Sequence, residues 1–332
     1  MSVIEKQEDS LAEGYSSTLF QLDEVVVKGP DAVQFISNFT TADINGLQEH
    51  EGCDGFFCDA RGWVLEMAIL LRSNEGLRIR VARGRGHGLA THLDRYHIRE
   101  DLTIFQNQEE LHSVLLSGGQ TKRWLGEFFD VSVPVKVYQQ IQEHCGDNPF
   151  STRSNPARLM AVDWVSSQGF LVTVPKECKD ILQSSLLESG LQDSTDEMIN
   201  YLRLQQGWPL GNDIPEKTLP QEVGLNARAI SLTKGCYLGQ ETVARLDALG
   251  HVNRRLVVLA VEKGGSMVVG DSVASNDEVV SRVTSVGCLG NQAVSLAMAI
   301  VPLKSMQQKS NLTVAGKAAN VVSPVLLDTL MT

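Results

Sequence analysis

Apolar positions along the first two thirds of the chain follow mixed strand and helix spacing, and along the last third strand spacing alone. Phe20-Gln21-Leu22-Asp23-Glu24-Val25-Val26-Val27 reads as a strand, and Lys28-Gly29-Pro30-Asp31 breaks it. Asp31 to Ile36 then opens a helix whose apolar positions Val33, Ile36 and Phe39 recur at helical spacing. Asp59-Ala60-Arg61-Gly62 reads as a hairpin turn between Gly55–Cys58 and Trp63–Leu71. Leu77-Arg78-Ile79-Arg80-Val81 alternates as a half-buried strand should, and Gly86–Tyr96 predicts a helix leading into Leu102–Phe105. The same alternation of types resumes from Leu111. His112–Leu116, Ala157–Val162 and Gly169–Val174 are expected as strands, and Thr121–Phe129 and Asp180–Ser189 as helices. Asp196–Gly207 predicts a further helix, closed by Gly207 and stopped by Pro209. Beyond His251 the runs Arg255–Val261, Met267–Val269, Val279–Val286, Ala293–Val301 and Asn311–Val314 are short, β-like and separated by Gly, Asn, Asp and Ser. The pattern predicts an α+β body with helices packed on sheets, followed by a small β-barrel.

Composition narrows the class without naming a function. A length of 332 residues suggests two or three domains, and 42% hydrophobic with 21% charged residues fits a globular chain with real cores. A net charge of −11 disfavours direct nucleic-acid binding and attraction to an anionic membrane surface, although a local basic patch remains able to take an anion. The polar, acidic opening Met1–Glu13 is unlike a secretory signal, and the longest apolar run, around Ala293–Leu303, is far short of the ~20 residues that span a bilayer. Six cysteines scattered over a long chain do not read as a disulfide framework, so a reducing, cytoplasmic setting is the expectation.

Candidate chemistry concentrates in Lys234-Gly235-Cys236-Tyr237-Leu238-Gly239-Gln240-Glu241. A cysteine between a lysine and the start of a helix over Gln240–Leu246 sits where positive charge and helix dipole favour a thiolate. Two glycines give backbone freedom and access. Cys236 is therefore the candidate thiolate and Lys234 the candidate counter-charge. The other reading of such a cysteine is a small buried hydrophobe.

This octapeptide resembles the signature of the YgfZ branch of the YgfZ/GcvT family, folate-binding proteins related to the T-protein of the glycine cleavage system. Phe39-Thr40-Thr41-Ala42-Asp43-Ile44, Cys58-Asp59-Ala60-Arg61-Gly62, Arg203-x-x-x-Gly207-x-Pro209, Leu219-Pro220-Gln221-Glu222 and Val243-Ala244-Arg245, with Gly250 after it, are similar to further elements of that family, in the same order. The T-protein generally lacks the cysteine octapeptide, so the resemblance is to the YgfZ branch. It implies a three-domain ring: two ferredoxin-like α+β domains and a C-terminal β-barrel around a central hole for a reduced folate such as tetrahydrofolate. The expected divisions are 18–110, completed by part of 200–250; 111–198; a motif-bearing segment 199–252; and a barrel at 253–332. The resemblance also implies work in iron–sulfur cluster assembly or repair. That includes transient contact with a cluster, with cluster enzymes or carriers as partners, and indirect support of tRNA-modifying enzymes. The alternative is a folate-dependent aminomethyl transferase or demethylase; whether the protein turns over a substrate stays open.

Within that frame Gln240, Glu241, Arg245, Arg61, Asp43, Thr41 and Tyr237 are the candidate folate-binding residues. Each also has an ordinary reading. Glu241 and Arg245 stand at favourable i,i+4 helix spacing, Asp59–Gly62 is a good turn, Thr41 and Asp43 are suited to turn capping, and Tyr237 is suited to the core. Arg83, Arg85, His87, Arg95, Arg99 and Lys122 are candidates to face the folate's glutamate tail, or form a solvated basic face. Cys53 and Cys58, with four residues between them, are read as structural, and the histidines show no metal-ligand spacing, so no metal is assigned. Gly84-x-Gly86-x-Gly88 lacks the spacing of a dinucleotide fingerprint.

Overall fold

The structure is a computed structural model that describes residues 14–107, 111–119, 121–128, 134, 136–143, 149–150, 156–166, 169–250, 252–262, 267–288, 294–306 and 311–322. The opening segment 1–13, Phe129, Cys145, His251 and Ala293 fall outside them.

The strands form three sheets. The first contains β2 (Leu22–Lys28), β3 (Gly52–Cys58), β4 (Val64–Ser73), β5 (Gly76–Ala82) and β6 (Thr103–Gln106), antiparallel in the order β3-β4-β5-β2-β6. Its outer face carries Val25, Val27, Leu77, Ile79 and Val81. These pack under α1 (Ala32–Ser37) and α2 (Gly86–Asp94) through Phe35, Ile36, Leu89 and Leu93.

The second sheet runs β11-β1-β7-β10-β9-β8, built on β7 (Leu111–Ser117), β9 (Ala157–Val162) and β10 (Gly169–Pro175). Val114, Leu116, Leu159 and Val172 point outward beneath α3 (Thr121–Phe128) and α4 (Lys179–Glu188). Three of its strands, β1 (Tyr15–Ser17), β8 (Gln140–Glu143) and β11 (Gln192–Asp193), carry too few apolar positions to show in the pattern. β1 pairs parallel with β11 and antiparallel with β7.

The third sheet has seven strands, with β12 (Arg254–Glu262) paired to β16 (Val294–Pro302) at its centre. It curls so that β14 (Glu278–Arg282) approaches β16, making a half-barrel. Here the pattern misled locally. Val268 and Val269 lie exposed in a turn, the expected run Val279–Val286 is split into β14 and β15 (Ser285–Gly287), and β18 (Lys317–Val322) was not foreseen.

All three sheets turn their remaining faces to one shared core. Phe56, Ile69 and Leu71 come from the first, Leu115, Met160 and Leu171 from the second, and Leu256, Met298 and Ile300 from the third. Helix α5 (Asp196–Gln206) supplies Ile199, Leu202 and Leu204 to the same core. Its ends form as the sequence predicts: Thr195 accepts the Met198 N–H at 3.2 Å, and Gly207 closes the helix at φ 74°. Arg203, only 1% exposed, ties α5 to the half-barrel, donating to Asp213 Oδ2 at 3.0 Å and to Ser285 Oγ at 2.6 Å. The class is α+β: two helix-backed sheets, antiparallel but for the β1–β11 pair, and a C-terminal half-barrel.

The inner faces also hold charge. The alternation of β5 was expected to leave its arginines in solvent, but the second sheet covers that face, and Arg80 is 2% exposed.

Candidate functional site

Three segments far apart in sequence meet around Cys236. The first is the end of α1 with the loop Thr40–Asp43, the second the turn Asp59–Gly62, and the third the octapeptide. Thr41 stitches the first to the chain ahead of the octapeptide. Its Oγ1 donates to the Ala229 carbonyl at 2.5 Å and accepts the Phe56 N–H at 2.9 Å, and its own carbonyl accepts the Ser231 N–H at 2.9 Å. The turn meets the octapeptide glycine to glycine. Gly62 and Gly239 both have φ 83°, and a Cβ on Gly239 would stand 2.6 Å from the Asp59 carbonyl oxygen and 2.9 Å from Gly62 Cα. Asp59 Oδ1 sets the turn by accepting the Arg61 N–H at 2.9 Å and the Trp63 N–H at 3.0 Å.

Lys234 is buried, and its ammonium donates to three carbonyls: Ser37 at 2.7 Å, Thr40 at 2.9 Å and Ala42 at 2.8 Å. The first is the last residue of α1, at the helix end where a cation is favoured, and the other two lie in the loop that follows. Burial pulls the lysine down to about 8, and Asp43 works against that shift. The ammonium's hydrogen bonds thus go to backbone carbonyls, which ties the loop ahead of Cys236 to the segment Ser37–Ala42. Tyr237 is also buried, its ring centroid 5.3 Å from the Lys234 ammonium. Between these two anchors Gly235 and Cys236 face outward, and Cys236 is an exposed free thiol. Helix α8 (Gln240–Leu249) begins four residues later, behind its Gly239 cap. The arrangement is a thiol on a fixed pedestal, able to ligate a soft metal, take part in disulfide exchange or attack an electrophile.

The other candidates are brought near this patch but do not surround a cavity. Thr41 and Tyr237 are buried, Gln240 is half-buried, and Asp43, Arg61, Glu241 and Arg245 are exposed. Asp43 accepts the Asn45 N–H at 3.1 Å. Glu241 and Arg245 form no ion pair among the described residues. The Arg61 guanidinium sits 5.1 Å from the Trp63 ring centroid, which Lys217 approaches at 5.7 Å.

Cys53 and Cys58 stand on opposite faces of β3, one against the outer core and one in the shared core, and burial pushes both thiols up to about 12. No group of three or more His, Cys, Asp or Glu side chains able to hold a metal forms among the described residues. No described helix is long and apolar enough to cross a membrane.

Residues 19–234 match the family described as the GCVT N-terminal domain, ending at the lysine that fastens the Cys236 loop. The chain belongs to the YgfZ/GcvT family. Its curated relatives include the "tRNA-modifying protein YgfZ" of Colwellia psychrerythraea, 26% identical over 259 residues, covering 76% of this chain and 75% of that one. The same-named proteins of Yersinia enterocolitica (27% over 263 residues, 77% and 74% covered) and Escherichia coli (27% over 254 residues, 73% and 72% covered) are similar in extent. Among solved structures, the glycine cleavage system aminomethyltransferase T of Bartonella henselae superposes with a TM-score of 0.80 at 20% identity, covering 96% of this chain and 88% of that one. At that identity the likeness establishes the fold.

Where the three sheets meet, aromatic side chains pack together. Trp164 stacks on Trp208 with centroids 5.6 Å apart, and Phe20 lies 5.0 Å from Trp164. The apolar pocket they line with Met67, Leu210 and Arg80 measures about 50 Å³, too small for a pterin. A cleft of about 710 Å³ opens beside it between the first two sheets, lined in part by Gln21, Glu24, Arg83, Gln106, His112 and Lys179. Its size and its mix of cations and amides fit a reduced folate better than the aromatic pocket does. Of the proposed tail-binding cations Arg83 lines this cleft, while Arg85 pairs with Glu66 at 3.6 Å elsewhere. No residue of the Cys236 patch lines either opening. The aromatic and arginine residues at the centre were missed in the sequence. They carry no motif, and their only signal is an arginine doublet on the polar side of β5.

Proposed function

We propose that this chain is a folate-binding protein that acts in iron–sulfur cluster assembly or repair and so supports cluster-dependent enzymes, tRNA-modifying ones among them. The observation that carries the reading is the exposed Cys236 thiol, held out between two buried anchors by contacts that use all three family motifs of the patch. Such a thiol suits transient ligation of a cluster iron or exchange with a partner's sulfur. A reducing, cytoplasmic setting suits it too. The relatives' name supports the link to tRNA modification, and the 710 Å³ cleft supports a folate-sized ligand. Candidate partners are cluster enzymes or carriers, with no direct nucleic-acid contact required by the −11 net charge. The transferase alternative rests on likeness of fold, which does not carry function.

The test combines two readouts in one set of proteins. A strain lacking its own YgfZ-type gene receives the wild type or Cys236→Ser, and cluster-enzyme activity is measured; purified proteins are titrated with tetrahydrofolate. The expected result is that Cys236→Ser fails to restore activity yet binds tetrahydrofolate like the wild type. Full restoration by Cys236→Ser removes the sulfur from the function, and absence of saturable binding removes the folate.

A further inference from the structure

Where the first two sheets meet face to face, one carboxylate is surrounded by three arginines. Glu24 of β2 stands opposite Arg80 of β5 in the ladder; Arg78 comes from the same strand and Arg158 from β9 of the facing sheet. Arg78 Nη1 donates to Glu24 Oε1 at 3.0 Å, Arg158 Nη1 reaches both oxygens at 3.1 and 3.2 Å, and Arg80 Nη2 lies 3.2 Å from Oε2. Asn107 Nδ2 adds a contact to Oε1 at 3.0 Å, and Arg80 Nη1 donates to Thr173 Oγ1 at 3.1 Å. The side chains of Glu24, Arg80 and Arg158 are 2%, 2% and 3% exposed, and that of Arg78 is 18% exposed.

Charge and hydrogen bonding are both out of balance here. Among the described residues, three guanidiniums against one carboxylate leave an excess of two positive charges, largely buried, in a chain whose net charge is −11. Among the described residues the Nε groups of Arg78, Arg80 and Arg158 are also buried without a hydrogen-bond acceptor, and Arg80 Nη2 has only its ion-pair contact. A buried guanidinium donor without an acceptor is costly, and uncompensated buried charge more so. Glu24 cannot take more, since its two oxygens already receive four hydrogen bonds from three donor groups, and an ion pair. Arg80 lines the aromatic pocket and Glu24 lines the large cleft, so the cluster stands between two openings.

We infer that this seam is an anion site, which takes a doubly charged oxyanion group, a phosphoryl group or a dicarboxylate, on the guanidiniums of Arg78, Arg80 and Arg158. A phosphate monoester carries roughly −1.5 to −2 at neutral pH and offers three acceptor oxygens, which matches the excess charge and the open donors. Glu24 lines the cleft and Arg78 is the part-exposed member of the cluster, so the seam is reached past these two side chains. Bound there, the anion joins the first two sheets, because its ligands come from both. This site is separate from Cys236 and does not depend on the folate reading.

The test is thermal unfolding of the full chain in chloride buffer, titrated with inorganic phosphate in one arm and glutarate in the other, with sodium chloride at equal ionic strength as the baseline. One probe or both are expected to raise the midpoint saturably, as a ligand of the folded state does. The stronger arm tells a phosphoryl source from a dicarboxylate. Arg158→Gln and Arg78→Gln are each expected to weaken the apparent affinity about 10-fold or more, the scale of a charge-assisted hydrogen bond. Should Arg158→Gln not fold, Arg78→Gln, altered at the part-exposed rim, decides alone. Stabilisation no greater than that of chloride in both arms, or unchanged affinity in Arg78→Gln, overturns the site.

Discussion

Replacing Lys234 with Met keeps the length of the side chain and removes its charge and donors. Three carbonyls, that of Ser37 at the end of α1 and those of Thr40 and Ala42 in the loop that follows, then lose their partner. A hydrogen bond from a charged donor contributes roughly 1.5–3 kcal/mol, but the three are not additive, and the buried ammonium carries a desolvation cost in the wild type. A net loss of about 3 kcal/mol is expected. In a chain of this size that lowers the unfolding midpoint by roughly 4 °C. Urea unfolding followed by circular dichroism measures the energy, and iodoacetamide labelling of native Cys236 runs beside it. If Lys234→Met unfolds within about 0.5 kcal/mol of the wild type while Cys236 labelling slows, the ammonium serves the sulfur and the tying role is wrong.

Gly239→Ala is expected to destabilise by about 2 kcal/mol or more, since it adds left-handed strain to a 2.6 Å approach to the Asp59 carbonyl oxygen; a urea midpoint equal to wild type would contradict the glycine-to-glycine contact. In Glu24, burial opposes ionisation but Arg80, Arg158 and Arg78 outweigh it and bring the carboxyl down to about 2, against roughly 4.3 in the unfolded chain. The unfolded state therefore binds more protons in that window, so this group's stabilisation, about 3 kcal/mol, is present above roughly pH 4.5 and is lost as pH falls toward 2. Glu24→Gln should accordingly cost much more at pH 7 than at pH 3, and equal costs at the two would refute the depressed value. Iodoacetamide should modify Cys236 in the native protein while Cys58 and Cys178, both buried, react only on unfolding; peptide mapping checks the order.

The outer faces of the first two sheets were legible because each needs only local periodicity. Val25, Val27, Leu77, Ile79 and Val81 alternate, and their helices follow at helical spacing. The inner faces were not legible, because what covers them comes from another sheet. Arg80 reads as the polar side of a half-buried strand and Arg158 carries no signal, yet both end in the seam between the sheets. The octapeptide showed where to look, and its helix starts at Gln240 as expected. The partner of Lys234 could not be read, since its acceptors are backbone carbonyls nearly 200 residues away in sequence. Backbone groups leave no trace in residue identity. The candidate ligand residues gathered at one patch because Gly62 and Gly239 interlock, but that proximity did not make a cavity.

Tyr15–Ser17 leaves its own neighbourhood to stand between Gln192–Asp193 and Leu111–Ser117. On the ribosome this strand emerges early and finds its last neighbour only when residue 193 is out, roughly 10–35 s later at ordinary synthesis rates. Until then it is an unpaired edge, the kind of segment that chaperones hold and that mispairs in crowded conditions. Clipping the chain ahead of Leu19 would therefore unsew the middle of the molecule while sparing the part translated next.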